Sequence, residues 1–329
     1  MRENANAAQV SAADLANQKL SMQADLAVNY FELRGQDAQI ELFDRTISAY
    51  RKNLKLTQAR STTGVDTEQS VAQAELNLKS EQATATNLGI ARAQFEHAIA
   101  MLIAQPASTF SLPHRALLTS IPPIPVGVPS DLLQRRPDVA AAERSMSQAN
   151  ALIGVEVAAF YPSFSVSGSG GLQSSAITNW MTWPSRFFSI GPSATETLFD
   201  GGQRRAVLAQ YRAQYFAQVA NYRQTVLSAL QSTEDTLASQ RILVLQITQQ
   251  QETEEAAQRY YTLANARYRT GVDTYLNVYT AETSLLNNQE TLITLKIQQL
   301  TNIVRLIQNL GGGWNANKLP SESEVGSKH

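Results

Sequence analysis

The chain has 329 residues, 27 basic and 28 acidic, for a formal net charge of −1, and no cysteine. That balance removes any global pull toward nucleic acid or anionic lipid, and the missing thiols exclude disulfides, thiolate metal sites and cysteine nucleophiles. His97, His114 and His329 are scattered, so histidine-pair catalysis or metal binding has little material. The length allows one large domain or two ordinary ones.

The N-terminus, MRENANAAQVSAADLANQKL, lacks the apolar core of a signal peptide. No run of eighteen apolar residues exists, so a membrane role would fall to β-strands or to surface contact. From about Glu3 to Ser61 the only helix breaker is Gly35, which predicts one very long helix interrupted near that glycine. Ile40, Phe43, Ile47, Tyr50 and Leu54 recur at spacings of 3 and 4, a coiled-coil seam. At about 1.5 Å per residue the rod reaches roughly 90 Å. Gly64 turns the chain, Asp66 or Thr67 caps the next helix, and helical composition resumes from Glu68 to about Ala104. Residues 1–105 thus form a first hairpin with its tip at 61–67.

Residues 106–136 are proline-rich, with Pro106, Pro113, Pro122, Pro123, Pro125 and Pro129, and read as an extended linker. The stretch from Pro129 onward suggests two helical pieces. Ser130 caps the first, and Pro137 opens the second, a short helix over 137–160. Residues 161–200 hold two candidate strands. Phe164 and Val166 alternate with serines in the first, and Pro192 weakens the second, which runs from Phe187 to Phe199. Such alternation also suits a barrel with one face to lipid and one to water. A second hairpin spans 201–310 with its tip at 268–274, followed by a tail over 311–329. Its return arm carries the seam Leu286, Ile293, Ile297, Leu300, Val304 and Ile307.

TGVDT occurs at both tips, as Thr63 to Thr67 and Thr270 to Thr274. At that offset of 207, ten of the seventeen positions from Ala59 to Glu75 agree with Ala266 to Glu282. A duplicated supersecondary unit is the natural explanation.

Five ordered stretches, PSDLLQRRPDV (Pro129 to Val139), AAFYPSFSVSGSGG (Ala158 to Gly171), LFDGGQRRA (Leu198 to Ala206), YRTGVDTYLNV (Tyr268 to Val278) and LGGGW (Leu310 to Trp314), closely resemble the outer membrane factor family. These are the TolC- and OprM-like efflux ducts, including lipoproteins of the NodT type. The resemblance implies a mainly α fold, in which long helical hairpins build an α-barrel and a small β-hairpin contributes to a transmembrane β-barrel. It implies a homotrimer in the bacterial outer membrane and periplasm, passing small molecules from an inner-membrane efflux pump through a periplasmic adaptor protein. Under the offset Met1 meets Leu208, so the family's signal peptide, lipid-bearing cysteine and first strand pair have no counterpart, and N-terminal truncation is expected. Two alternatives stay open: a soluble coiled-coil scaffold, or a fragment of such a duct that forms no channel.

By the same resemblance, Arg60, Gly64, Val65, Arg267, Gly271 and Val272 are adaptor-docking candidates. A glycine helix stop followed by a cap explains the two glycines without docking. Leu276 matches a hydrophobic constriction, accompanied by Asp273, Thr280 and Thr283, with Glu282 a further acidic lining candidate. Thr280 and Thr283 replace the charged residues that some members use to lock the gate. Phe164, Val166, Phe188 and Ile190 are candidates for the lipid face.

GSGG at Gly168 and GGGW at Gly311 are not followed by the helix N-terminus and lysine of a phosphate cradle, so no nucleotide or other cofactor is expected. Arg135, Arg136, Asp138, Glu143 and Arg144 read as local pairs near a helix start. Glu234-Asp235 and Glu254-Glu255 are adjacent on helices and do not face each other, so no acid/base dyad and no enzyme activity are expected.

Overall fold

A computed structural model describes residues 2–117, 135–175, 177–321 and 324–325. In chain order the elements are α1 (Arg2–Thr62), α2 (Glu68–Leu102), α3 (Pro137–Ala158), β1 (Ser163–Leu172), β2 (Arg186–Thr195), α4 (Gln203–Arg269) and α5 (Tyr275–Asn309). Two compact units divide the chain. One comprises residues 1–14, 138–227 and 317–329, and the other 15–137 and 228–316.

The larger unit is built from α2, α5 and the adjoining lengths of α1 and α4. Its core follows the seam of α1: Phe43, Ile47 and Tyr50 are buried, with Leu42 and Phe43 against Leu286, and Ile47 and Tyr50 against Leu78. Nearer the tips, Ala74, Tyr268, Tyr275 and Val278 close a further cluster.

Two expectations need correction. First, α1 runs through Gly35 without a break, because this glycine serves a helix contact. A Cβ there would lie 2.1 Å from Cδ1 of Ile297 on α5. A helix-interior glycine costs roughly 0.5–1 kcal/mol against alanine, and here it lets two helices approach closely. Second, the α5 seam holds at Leu286, Ile297, Leu300 and Val304 but then rotates. Ile307 is 45% exposed, while Leu306 is 2% exposed. A straight helix drifts about 20° per heptad, so an extrapolated 3-and-4 pattern slips by a residue. Arg136 also reaches far along the chain: its Nη1 donates to the Asn309 carbonyl at 3.0 Å. Of the expected local pairs, Glu143 and Arg144 approach to 4.0 Å.

An ionic clasp fixes the start of the linker. Asp37, with its side chain 3% exposed, accepts from Arg34 at 2.6 Å and Arg92 at 2.8 Å, and His114 Nδ1 lies 2.9 Å from it. Arg34 and Arg92 also donate to the carbonyls of Pro113 and Leu112, each at 2.7 Å. Opposite charges and bonded carbonyls offset the cost of burying the carboxylate. The rest of the linker, Ser130 and the first expected helical piece lie outside the described residues.

In the smaller unit α3 opens on Pro137, whose fixed φ suits a first helical turn. Gln148 on α3 donates to Glu3 at 2.9 Å, and Gln9 donates to the Pro320 carbonyl at 2.8 Å. β1 and β2 pair antiparallel over ten residues each. Pro192 stands opposite Val166, tolerated because both strands of a two-stranded sheet are edges.

Candidate functional site

Both tips are built the same way. At the first, the Gly64 N–H donates to Ser61 O at 3.0 Å and the Val65 N–H to Arg60 O at 2.9 Å. At the second, Gly271 donates to Tyr268 O at 3.0 Å and Val272 to Arg267 O at 3.0 Å. This double bond pattern is the Schellman motif, and it needs a left-handed residue, here Gly64 at φ 75° and Gly271 at φ 79°. The next helix starts differently at each tip. Thr67 caps α2 by accepting from the Ser70 N–H at 3.2 Å, whereas at α5 the Asp273 carboxylate accepts from the Thr274 N–H at 2.9 Å. The Asn277 amide and that N–H hold the Asp273 carboxyl below the usual carboxylate range.

The Schellman geometry accounts for the glycines but not for the valines. The residue after the glycine commonly packs back onto its helix. Val65 and Val272 instead remain 60% and 68% exposed.

Arg60, a docking candidate from sequence, is drawn largely inward. Its side chain is 15% exposed and donates to Asp66 at 2.8 Å. It also donates to the Tyr268 carbonyl at 3.0 Å and lies 4.6 Å from the centre of the Tyr268 ring. The Tyr268 hydroxyl completes the brace, donating to Asp66 at 2.7 Å and lying 2.8 Å from the Thr57 hydroxyl. Burial is the main reason its pKa is pushed up to about 12, so it is a reliable donor. Arg267 stays 62% exposed and reaches Asp273 at 3.3 Å.

On α5, Leu276 is 62% exposed and Thr280 is exposed one turn further on, donating to the Leu276 carbonyl at 2.9 Å. Asp273 lies just before the helix, next to its capping residue Thr274. Thr283 turns away: its hydroxyl is buried beside that of Tyr50, neither in a well-formed hydrogen bond. Glu282 also departs from the lining expectation. It is 4% exposed and accepts from the Asn53 amide at 3.0 Å. Burial pushes its carboxyl up to about 8.

The strand pair sorts its side chains by register. Directly opposed residues share a face, and Phe164, Val166, Gly168, Gly170 and Leu172 stand opposite Ala194, Pro192, Ile190, Phe188 and Arg186. The other face carries Ser163, Ser165, Ser167, Ser169 and Gly171 opposite Thr195, Ser193, Gly191, Ser189 and Phe187, polar along its length with one phenylalanine at the end. Ser165 and Ser193 hydroxyls meet at 2.8 Å on that polar face. Phe164, Val166, Phe188 and Ile190 therefore share one apolar side, and all four are exposed. Exposed aromatics border the ladder: Tyr161 and Phe199 beyond one end, Trp180 and Trp183 in the connection at the other. The Arg186 guanidinium, closing the apolar face, stacks 3.7 Å above the Trp183 ring.

Among the described residues no cluster of three or more metal-ligating side chains occurs, and no helix is long and apolar enough to cross a membrane. The clasp on Asp37 and the brace on Tyr268 were missed from sequence. Their members come from distant positions, and no local pattern announces them.

The family described as Outer membrane efflux protein matches residues 128–312. The chain is 31% identical over 302 residues to the solvent efflux pump outer membrane protein SrpC of Pseudomonas putida, covering 91% of this chain and 64% of that protein. It thus spans about two thirds or less of the length of such relatives. The solved outer-membrane channel OprN superposes with a TM-score of 0.89 at 28% identity, over 95% of this chain and 71% of that one. The CmeC outer membrane channel of Campylobacter jejuni gives 0.90 at 22% identity over 96% of this chain and 68% of that one, a likeness of fold. With paired helical hairpins, twin glycine tips and a two-faced strand pair all present, the chain belongs to the outer membrane efflux protein family.

Proposed function

We propose that this chain forms part of a passive duct in the bacterial outer membrane and periplasm, assembled as a homotrimer. It would pass small molecules delivered by an inner-membrane pump through a periplasmic adaptor, with no chemistry of its own. The carrying observation is the strand pair. Ten residues per strand suit a membrane crossing of about 9–11 tilted residues, and one apolar and one polar face suit lipid outside and water inside. A soluble scaffold has no use for such a pair. Phe164, Val166, Phe188 and Ile190 face lipid in this reading, with Trp180, Trp183 and Tyr161 in the interfacial bands.

The tips dock the adaptor through Val65 and Val272, whose exposure the turn itself does not require. Arg267 lies on that surface, while Arg60 supports it from within. Leu276 narrows the path, with Thr280 and Asp273 beside it. Conductance across a planar lipid bilayer tests the duct: discrete steps from the purified chain are expected, and their absence at every protein concentration would count against it. Val272→Asp should abolish capture of the adaptor with helicity unchanged, and undiminished capture would remove the docking assignment.

A further inference from the structure

Glu282 has no role in the duct as described, yet its setting is unusual. It lies on α5 in the interior of the larger unit, 4% exposed, and accepts from the Asn53 amide of α1 at 3.0 Å. Around it stand Tyr50 of α1, Tyr261 of α4 and Tyr275 of α5, each of whose hydroxyls senses its charge. Glu81 of α2 and Arg269 of α4 act on Tyr50 and Tyr261 respectively. Among the described residues no basic side chain forms an ion pair with Glu282. Polar groups nearby are incompletely bonded: the Tyr50 and Thr283 hydroxyls, which adjoin each other, and the Asn77 amide nitrogen, beside Tyr275, are buried with no well-formed hydrogen bond. A cleft of about 190 Å³ reaches the carboxyl between α1, α4 and α5, lined by Arg45, Thr46, Gln258, Tyr261 and Gln289 among others.

A buried carboxylate with no ion pair is costly, whereas the neutral acid fits such a site. The interior here also holds polar groups that water would satisfy. We propose that Glu282 is a protonation-controlled latch between the two hairpins: the neutral acid keeps α5 against α1, and ionisation with water entry releases it. The carboxyl O–H breaks and its proton passes to water in the cleft. Burial raises the carboxyl from its ordinary 4.5 to about 8, opposed in part by the Asn53 and Tyr261 hydrogen bonds. The shut state binds the proton more tightly, so the latch is at full strength below about pH 4.5. It weakens as pH rises toward 8 and changes no further once the shut form is itself ionised. Acid closes the seam and alkali loosens it. The latch concerns the helical seam and stands whether or not the assembled chain conducts. Its use in regulating passage rests on the duct reading.

The sequence provides its own control. Glu75 is the counterpart of Glu282 under the repeat, and it is exposed. Amide hydrogen exchange of the full chain in detergent, corrected for intrinsic rates, reads opening of residues 275–286. In the wild type, opening should rise with pH between about 5 and 8, by at most about tenfold per unit for one proton. Glu282→Gln should flatten that profile, and Glu75→Gln should leave it as in the wild type. Matching slopes in wild type and Glu282→Gln, or a flat profile in Glu75→Gln, would overturn the latch. The infrared carbonyl stretch of a protonated carboxyl gives a second measure that requires no opened state. It should persist at pH 7 in the wild type and disappear in Glu282→Gln, and its absence from the wild type at pH 7 contradicts the proposal.

Discussion

The two copies of the repeat, residues 59–75 and 266–282, share a backbone and differ in what surrounds it. Gly64 and Gly271 turn their chains through the same pair of hydrogen bonds. Arg60 is drawn inward, 15% exposed, whereas Arg267 stays 62% exposed. At the other end of the repeat Glu75 is exposed and Glu282 is buried. One non-identical position accounts for the arginines. Where the first copy has Ser61 the second has Tyr268, and that ring and its carbonyl receive Arg60. Local sequence therefore set the turn, and the neighbouring helix decided which side chains became braces and which stayed surface.

The largest test of this asymmetry is to truncate both arginines. Arg60→Ala leaves the partly buried Asp66 without its cation and should cost about 2 kcal/mol in urea unfolding. Arg267→Ala removes an exposed pair and should cost less than about 0.5 kcal/mol. Equal losses would break the comparison. Next come the glycines, where the copies should agree. Gly64→Ala and Gly271→Ala each force alanine into the left-handed region, at about 1 kcal/mol apiece by the same assay. The added Cβ meets nothing within 4 Å at Gly64 and only the Arg60 guanidinium, 4.0 Å away, at Gly271.

The end of α2 sharpens the point. There Ala104, at φ 57°, occupies the position that glycine fills at the tips, with its N–H donating to Met101 O at 3.1 Å and the Gln105 N–H to Ala100 O at 2.9 Å. Ala104→Gly should stabilise the fold, by about 0.5–1 kcal/mol in urea unfolding. Smallest of all, Val65→Asp and Val272→Asp should each leave stability within about 0.5 kcal/mol, because both side chains face water in the free chain. A large loss at either valine would mean that it supports the turn.

Much of this architecture was legible in the sequence. Helical composition between turn glycines and prolines predicted helices that end within a few residues of their observed bounds. The repeat placed both tips, and serine alternation anticipated a strand pair whose register does separate Phe164 and Val166 from the serines. What failed depended on contacts between distant positions. Gly35 reads as a break in isolation and becomes a close approach only when Ile297 arrives. Arg60 reads as surface until Tyr268 receives it, and Glu282 reads as water-facing until three helices enclose it. The Asp37 clasp draws on Arg34, Arg92 and His114, residues that no periodicity links.

The central claim is that the two-faced hairpin meets lipid in an assembly of three. Light scattering of the purified chain, in plain buffer and then in detergent, tests it most directly. The duct reading predicts a detergent-dependent particle with three times the 36.0 kDa of one chain. A monodisperse single chain, unchanged between plain buffer and detergent, would contradict it.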